Sequence, residues 1–229
     1  TPLMSRILTI SCLVALFVLA ACSKDGDSNA YDSYQNWKAR NTAWYNELQA
    51  NARKEIDAAK ALYGDDWEAN CPWRIYLSTS LDQGTKREDS IVMRLVKQSP
   101  YTDCPLYTDS VYVNYRGWLM KTTYRIDGLD TAYCNLFDQS FYDYYAEDDL
   151  DVFDDKHAYP SKGCVKSYVD GFTTALQYMH EGEQAHVYIP SYLAYGDETS
   201  NGIPGGSTLH FFLHLRNVYP TGTPVPDWK

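Results

Sequence analysis

The C-terminal half of the chain carries aromatic and aliphatic side chains with a few polar ones among them, a mixture that suits a dry pocket for an apolar group. Eight of them form the candidate site: Tyr115, Phe137, Asp138, Val169, Phe172, Tyr195, Ile203 and Phe211. Each alone is more often a core residue. No serine lies in a G-x-S-x-G pattern, and Gly205-Gly206 leads into a predicted strand rather than a phosphate-binding helix. The sequence therefore points to binding chemistry, with no cofactor and no metal.

A short amphipathic helix and two strands should position these side chains. Phe172, Leu176 and Met179 share one face of the predicted helix. Residues 185–189 then alternate between apolar and polar side chains, and residues 208–218 alternate again after a turn-rich loop. The pattern predicts helix, strand, long loop and strand.

Five sequence blocks resemble, in order, those of FKBP-type peptidyl-prolyl cis-trans isomerases. They are VYVNYRGWL, FDQS, V-D-G-F with A-L-x-x-M and G-E after it, I-P-x-x-L-A-Y-G, and I-P-G-G-S-T-L-x-F. The resemblance covers residues 91–219. It implies an α+β, FKBP-like fold, in which an antiparallel β-sheet wraps around a short α-helix. It also implies that the partners are proline-containing polypeptides and that rapamycin-type macrolides compete with them.

The resemblance also assigns the apolar roles. Phe172 would be the floor under the proline ring, where family members often carry tryptophan. Tyr115, Phe137 and Phe211 would be the walls. The family's phenylalanines after the second block cannot be placed within residues 141–163.

Four further residues take the remaining roles that the resemblance implies. Val169 would cap one side and offer its backbone N–H to a substrate carbonyl. Asp138 and Tyr195 would be the polar pair, with Tyr195 donating a hydrogen bond to the substrate backbone. Ile203 would lie on the flap, which has no histidine or aromatic residue at positions 199–202, unlike some members.

Bulk composition narrows the class of protein. The chain has 229 residues and a formal net charge of −10, with no basic patch, which argues against a nucleic-acid partner. Its length allows one ordinary domain and an extra segment. The predicted organisation is a signal at 1–21, a tether at 22–30, a helix at 31–64, a connecting segment at 65–90, the isomerase domain at 91–219 and a tail at 220–229.

The N-terminal segment reads as a bacterial lipoprotein signal. Arg6 supplies a positive region, and residues 7–19 form an apolar stretch too short for a comfortable membrane span. Leu19-Ala20-Ala21-Cys22 resembles a lipobox, which predicts cleavage before Cys22 and its lipidation. A plain secretory signal is the alternative. The lipid anchor would place the protein at the cell envelope, on the periplasmic or surface face of the outer membrane.

Residues 31–63 carry apolar side chains at helical spacing. We expect this helix to pack on its own domain rather than form a dimerisation stalk, because no heptad is sustained. Residues 73–79 and 91–98 should form a hairpin, with the first as an added strand.

Four cysteines besides Cys22 allow three disulfide pairings. The ends of the predicted hairpin suggest Cys71 with Cys104. The segments flanking the FDQS block suggest Cys134 with Cys164. Metal binding by these cysteines is the disfavoured alternative, because no C-x-x-C is present.

Two long insertions, at 120–136 and 141–163, flank the FDQS block and should rim the pocket. The acidic run in the second should be a solvated loop rather than a calcium site, because it lacks a glycine and regular ligand spacing. His210 and His214 share one face of the last strand, which we expect to be an exposed sheet face.

Overall fold

The computed structural model describes residues 34–80, 89–126, 129–142 and 155–228. The predicted signal, Cys22 and the tether lie outside these residues, as does the acidic run at 143–154. No helix in the described ranges combines the length and the apolar character needed to cross a membrane.

Helices and strands alternate along the described chain. The helices are α1 (Trp37–Tyr63), α2 (Trp67–Asn70) and α3 (Asp170–Tyr178). The strands are β1 (Trp73–Leu77), β2 (Ser90–Lys97), β3 (Ser110–Ile126), β4 (Leu129–Gln139), β5 (Ser161–Cys164), β6 (Gln184–Ile189) and β7 (Leu209–Tyr219). Single 3-10 turns occupy Gly64–Asp66, Asp155–His157, Val165–Ser167 and Ser191–Leu193.

All strand pairs in the described sheet are antiparallel. The strand order is β1-β2-β6-β7-β3-β4, and β5 also pairs with β3. The short helix α3 lies across one face, so the predicted α+β arrangement of a sheet around a short helix is confirmed. The predicted hairpin is also confirmed as β1 and β2, with β1 at the sheet edge.

The main core lies between α3 and the sheet. Phe172, Leu176 and Met179, predicted to share one helix face, are all buried in it. The approach at the start of α3 is close, because a Cβ on Gly171 would lie 2.2 Å from Cγ2 of Ile189 in β6. Only glycine therefore allows α3 to begin at this distance from the sheet.

Helix α1 packs on the opposite face of the sheet, within its own chain, as expected. Tyr45 and Ala52 contact Val92 of β2, and Ile56 belongs to a second cluster with Cys71. The Tyr45 hydroxyl also donates a hydrogen bond to the carbonyl of Ser90. The helix thus buries an apolar stripe that would otherwise face solvent.

The first insertion lengthens the sheet. β3 continues to Ile126 and pairs antiparallel with β4 out to Leu129, so residues 120–126 and 129–134 extend the sheet beyond Leu119, the last residue of β3 that pairs with β7. Ile126 lies nine positions beyond Gly117 on β3, about 30 Å along an extended strand. The prediction that this insertion rims the pocket is therefore wrong for its far end, at Ile126 and Leu129.

The face of β7 that carries His210 is buried, so the prediction of an exposed face is wrong. His210 is 4% exposed, stacks on Tyr188 with ring centroids 4.4 Å apart, and lies 5.2 Å from the Trp118 ring. Its Nε2 is 2.7 Å from Nδ1 of His186. The reason is tertiary: Trp44 of α1 packs edge-on against Tyr188 and extends the covered area over this face.

Burial of His210 should make stability pH-dependent. Burial, with the nearby charges of His186, Arg94 and Lys121, lowers the pKa of His210 well below its ordinary value. The unfolded chain takes up a proton near pH 6.5 that the folded chain does not, so stability should fall as pH drops below that value, by about 1.4 kcal/mol per pH unit.

Urea unfolding between pH 7 and 5 checks this expectation. His210→Gln should flatten the slope of stability against pH, whereas the exposed His157→Gln should leave it unchanged. Equal slopes for wild type and His210→Gln would contradict it.

Cys71, Cys104 and Cys164 are free thiols, which contradicts both predicted disulfides. Cys71 is buried against α1, on one face of the sheet. Cys104 lies near the carboxylate of Glu183, beyond the end of α3. Six residues separate Cys104 from Lys97, the end of β2. The side chain of Cys134 lies outside the described part.

Candidate active site

Four aromatic rings meet between α3, β3, β4 and β7. Phe211 is at the centre, with ring centroids 5.1 Å from Phe172, 5.5 Å from Phe137 and 6.2 Å from Tyr115. Their interplanar angles lie between 71° and 87°, the edge-to-face geometry that aromatic pairs favour. These four residues, called the aromatic cluster below, are the predicted floor and walls.

Strand register brings the aromatic cluster together. Gly117 of β3 lies opposite Phe211 of β7 and opposite Asp138 of β4. A Cβ on Gly117 would be 2.6 Å from Cζ of Phe137 and 2.7 Å from Cε1 of Phe211. The glycine therefore leaves the space in which the two rings lie against each other.

The aromatic cluster is nearly dry. Phe172 and Phe211 are 3% and 6% exposed, while Tyr115 and Phe137 are half-buried. An apolar group that enters the aromatic cluster would be shielded from water on all sides. This desolvation favours apolar ligands over charged ones.

Asp138 pairs with Tyr115, not with Tyr195 as predicted. The Tyr115 hydroxyl donates to Oδ2 of Asp138 over 2.8 Å, and Oδ1 accepts from the backbone N–H of Gln139 over 2.9 Å. Burial, followed by the hydrogen bond to Asp138, raises the pKa of Tyr115 above its ordinary value. Tyr115 therefore stays a neutral donor, and Asp138 holds its ring in place.

Tyr195 leaves its hydroxyl available to a ligand. It is 36% exposed and makes no hydrogen bond with other described residues. The Tyr195 phenol is one of the groups that raise the pKa of Tyr115, so Tyr195 lies near the aromatic cluster.

Val169 and Ile203 complete the predicted set. Val169 is half-buried directly before α3, and its carbonyl accepts from the N–H of Thr173. Ile203 is buried in the main core at the end of a tight turn. In that turn the N–H groups of Ser200 and Ile203 bond each other's carbonyls over 3.1 and 2.9 Å. Asn201 and Gly202, both at positive φ, form its two central residues, as Asn-Gly does in tight hairpins.

Tyr168 belongs to this site and was missed. Its ring stacks on Phe172, with centroids 4.6 Å apart and an interplanar angle of 21°. Its hydroxyl lies 3.3 Å from Oγ of Ser161, and a Cβ on Gly163 would be 2.6 Å from that hydroxyl. Its position directly before V-D-G-F was the available signal, since Val169 beside it was already assigned.

Phe141 does not join the site. Its ring lies under the guanidinium of Arg116, 4.3 Å from the centroid to Cζ, on the sheet face opposite Tyr115. Phe137, and not Phe141, therefore forms the wall of the aromatic cluster next to β4.

Residues 136–216 match the family model described as FKBP-type peptidyl-prolyl cis-trans isomerase. The segment that carries most of the candidate site is thus similar to the FKBP family. The match contains seven of the eight predicted site residues, all except Tyr115, which precedes it on β3.

Two curated relatives carry the same family name. The FKBP-type isomerase FkpA of Buchnera aphidicola is 28% identical over 136 residues, covering 59% of this chain and 46% of that protein. FkpA of Escherichia coli K12 is 28% identical over 148 residues, covering 65% of this chain and 44% of that protein. The chain thus spans less than half the length of these relatives.

Solved structures of similar proteins include FkpA from Escherichia coli and a peptidyl-prolyl cis-trans isomerase from Pseudomonas syringae. The first has a TM-score of 0.43 at 24% identity, covering 81% of this chain and 71% of that one. The second has a TM-score of 0.41 at 23% identity, covering 74% and 92%.

Proposed function

We propose that this protein catalyses cis–trans isomerisation of X–Pro peptide bonds. The observation that supports this most is the nearly dry aromatic cluster around Phe211, because it sits within an FKBP-type domain. Its substrates would be proline-containing polypeptides, with the proline ring between Phe172 below and Tyr115 and Phe137 beside it.

The reaction needs only binding and desolvation. The barrier to rotation, about 18–20 kcal/mol, comes from the partial double bond between carbon and nitrogen. A twisted amide loses that conjugation, and its carbonyl oxygen carries less charge. An apolar pocket therefore favours the twisted form over the planar, well-hydrated one. No proton moves and no bond breaks.

Two backbone contacts would orient the substrate. The Tyr195 hydroxyl can donate to a substrate carbonyl, and the Val169 N–H offers a second donor at the opposite side. Ile203 closes the pocket from the flap. Asp138 acts through Tyr115, which makes it a positioning residue.

Removing one hydroxyl should weaken catalysis without abolishing it. Tyr195→Phe loses one hydrogen bond, worth about 0.5–1.5 kcal/mol, and kcat/KM should fall about threefold to tenfold. Tyr115→Phe should have a similar effect by freeing the ring from Asp138. Tyr101→Phe, an exposed tyrosine, is the matched control. A hundredfold loss in Tyr195→Phe would indicate acid–base chemistry instead.

Isomerisation and macrolide binding test the proposal together. The protein should accelerate isomerisation of an apolar-residue–Pro peptide, and a rapamycin-type macrolide should inhibit it by competing for the aromatic cluster. Acceleration without inhibition would support the proposed isomerase activity and contradict the proposed macrolide binding. A folded sample that does not accelerate isomerisation would contradict the proposed isomerase activity.

A non-catalytic binding module is the second candidate. It is favoured by Tyr142 and Tyr159, which are 76% and 63% exposed with ring centroids 6.0 Å apart, at the base of the second insertion. Exposed tyrosines are typical of contact surfaces. A protein that binds unfolded chains through these tyrosines but does not speed isomerisation would match this candidate.

We further propose a folding role at the cell envelope, with the chain anchored by a lipid on Cys22. The lipobox-like pattern supports this, since a doubly or triply acylated cysteine gives stable anchoring. Cys22→Ala should shift the protein from the membrane fraction to the soluble fraction, whereas Cys71→Ala should not. An unchanged membrane fraction for Cys22→Ala would contradict the anchor.

A further inference from the structure

The N-terminal end of α1 contacts the flap loop, residues 194–208, which carries two of the predicted site residues. The indole Nε1 of Trp37 donates to Oγ of Ser207 over 2.8 Å, between residues 170 positions apart in sequence. Both side chains are buried, Trp37 at 5% and Ser207 at 3% exposure. Water therefore competes little for this bond.

Asn41, one turn further along α1, reinforces the contact. Its Oδ1 accepts from the backbone N–H of Thr208 over 2.9 Å, and its Nδ2 donates to the Trp37 carbonyl over 2.9 Å. Asn41 is fully buried. A buried amide with both ends satisfied fixes its partners in one geometry, because each broken bond leaves an unpaired buried group.

The flap loop approaches the helix as closely as glycine permits. Gly206, at φ +78°, would place a Cβ 2.6 Å from Cβ and 3.0 Å from Cα of Lys38. The Lys38 ammonium also lies 2.6 Å from Oδ2 of Asp197 in the same loop. This ion pair is exposed and contributes little by itself.

Bonds inside the flap loop carry these contacts to the site residues. Ser207, held by Trp37, donates to the Pro204 carbonyl, next to Ile203. Gly206, held against Lys38, donates its N–H to the Gly196 carbonyl over 2.8 Å, next to Tyr195. Tyr195 and Ile203 therefore each adjoin a residue that accepts a hydrogen bond from a residue in contact with α1.

We propose that the N-terminal end of α1 is a positioning element for the active site, and that Trp37 and Asn41 hold the flap loop where Tyr195 and Ile203 can meet the substrate. This inference rests on the proposed isomerase function. Loops with few anchors open more readily than the elements that they join, and small misplacements of binding groups reduce rates strongly. The helix thus acts on catalysis from outside the matched family segment.

The test compares two ends of the same helix. Trp37→Phe keeps an aromatic ring and removes the N–H, and Asn41→Ala removes the amide. Tyr45→Phe is the matched control, because the bond that it loses goes to the Ser90 carbonyl on β2 and not to the flap loop. The readouts are kcat/KM for an apolar-residue–Pro peptide and hydrogen exchange at the backbone amides of Ile203, Gly206 and Thr208.

Trp37→Phe and Asn41→Ala should each lower kcat/KM about tenfold and speed exchange at the three amides, while Tyr45→Phe changes neither. Wild-type exchange in both variants, or the same changes in Tyr45→Phe, would overturn the proposal. Faster exchange with unchanged kcat/KM would overturn its catalytic part. The exchange measurement does not need an active enzyme, so failure of the isomerase function would be seen separately as an inactive wild type.

Discussion

Phe172→Ala is expected to lose isomerase activity at least a hundredfold and to lower the free energy of unfolding by about 3–5 kcal/mol. Phe172 contacts Phe211, Tyr115 and Tyr168, so its removal opens a cavity in the floor of the site. The rings around it lose the surface against which a proline could pack.

Two further variants separate activity from stability. Phe172→Leu keeps much of the apolar volume and should fold, yet lose the flat ring and most activity. Phe212→Leu is the matched control, since Phe212 is fully buried on the opposite sheet face, stacked on His186. Comparable activity losses in both leucine variants would show that general destabilisation, not the floor of the pocket, is responsible.

Gly117→Ala is expected to destabilise the protein by about 1–3 kcal/mol and to reduce kcat/KM more than tenfold. The added Cβ would press against Phe137 and Phe211 at 2.6–2.7 Å, so both rings must shift. Since β3 is held by neighbours on both sides at this point, the strand cannot move away instead.

Gly64→Ala supplies the control for this variant. Gly64 follows α1 at φ +57° and ψ −127° with open space around it, so alanine there costs about 1–3 kcal/mol through backbone strain alone. Urea unfolding and peptide isomerisation should show similar stability losses for the two variants and a loss of kcat/KM only for Gly117→Ala. Full activity in Gly117→Ala would mean that the rings can shift without consequence.

Local patterns were enough to predict the elements that carry the site. The apolar spacing of Phe172, Leu176 and Met179 predicted α3, and alternation predicted β6 and β7. The aromatic cluster was predicted through the family blocks, since alternation places Phe211 on a face but does not say what meets it. The structure brings all four rings together.

The predictions that failed concern contacts between residues that are far apart in sequence. His210 looked exposed because nothing in residues 208–218 reveals that α1 and Tyr188 cover that face. Cys71 and Cys104 looked adjacent because the hairpin brings the neighbouring strands together, but both are free thiols: Cys71 packs against Ile56 of α1, and Cys104 lies near Glu183.

Polar partners were also unpredictable. Asp138 was predicted to pair with Tyr195, and only the register of β3 with β4 shows that the Tyr115 hydroxyl lies 2.8 Å from its carboxylate. The bonds of Trp37 and Asn41 to the flap loop span more than 160 residues. The spacing of residues in a single sequence does not predict such a contact.

The rate at which the wild-type protein isomerises an apolar-residue–Pro peptide decides whether the aromatic cluster catalyses prolyl isomerisation. We expect a rate that rises above the uncatalysed rate in proportion to protein concentration and is lost in Phe172→Leu. If a sample that circular dichroism shows to be folded gives only the uncatalysed rate, the aromatic cluster does not catalyse this reaction.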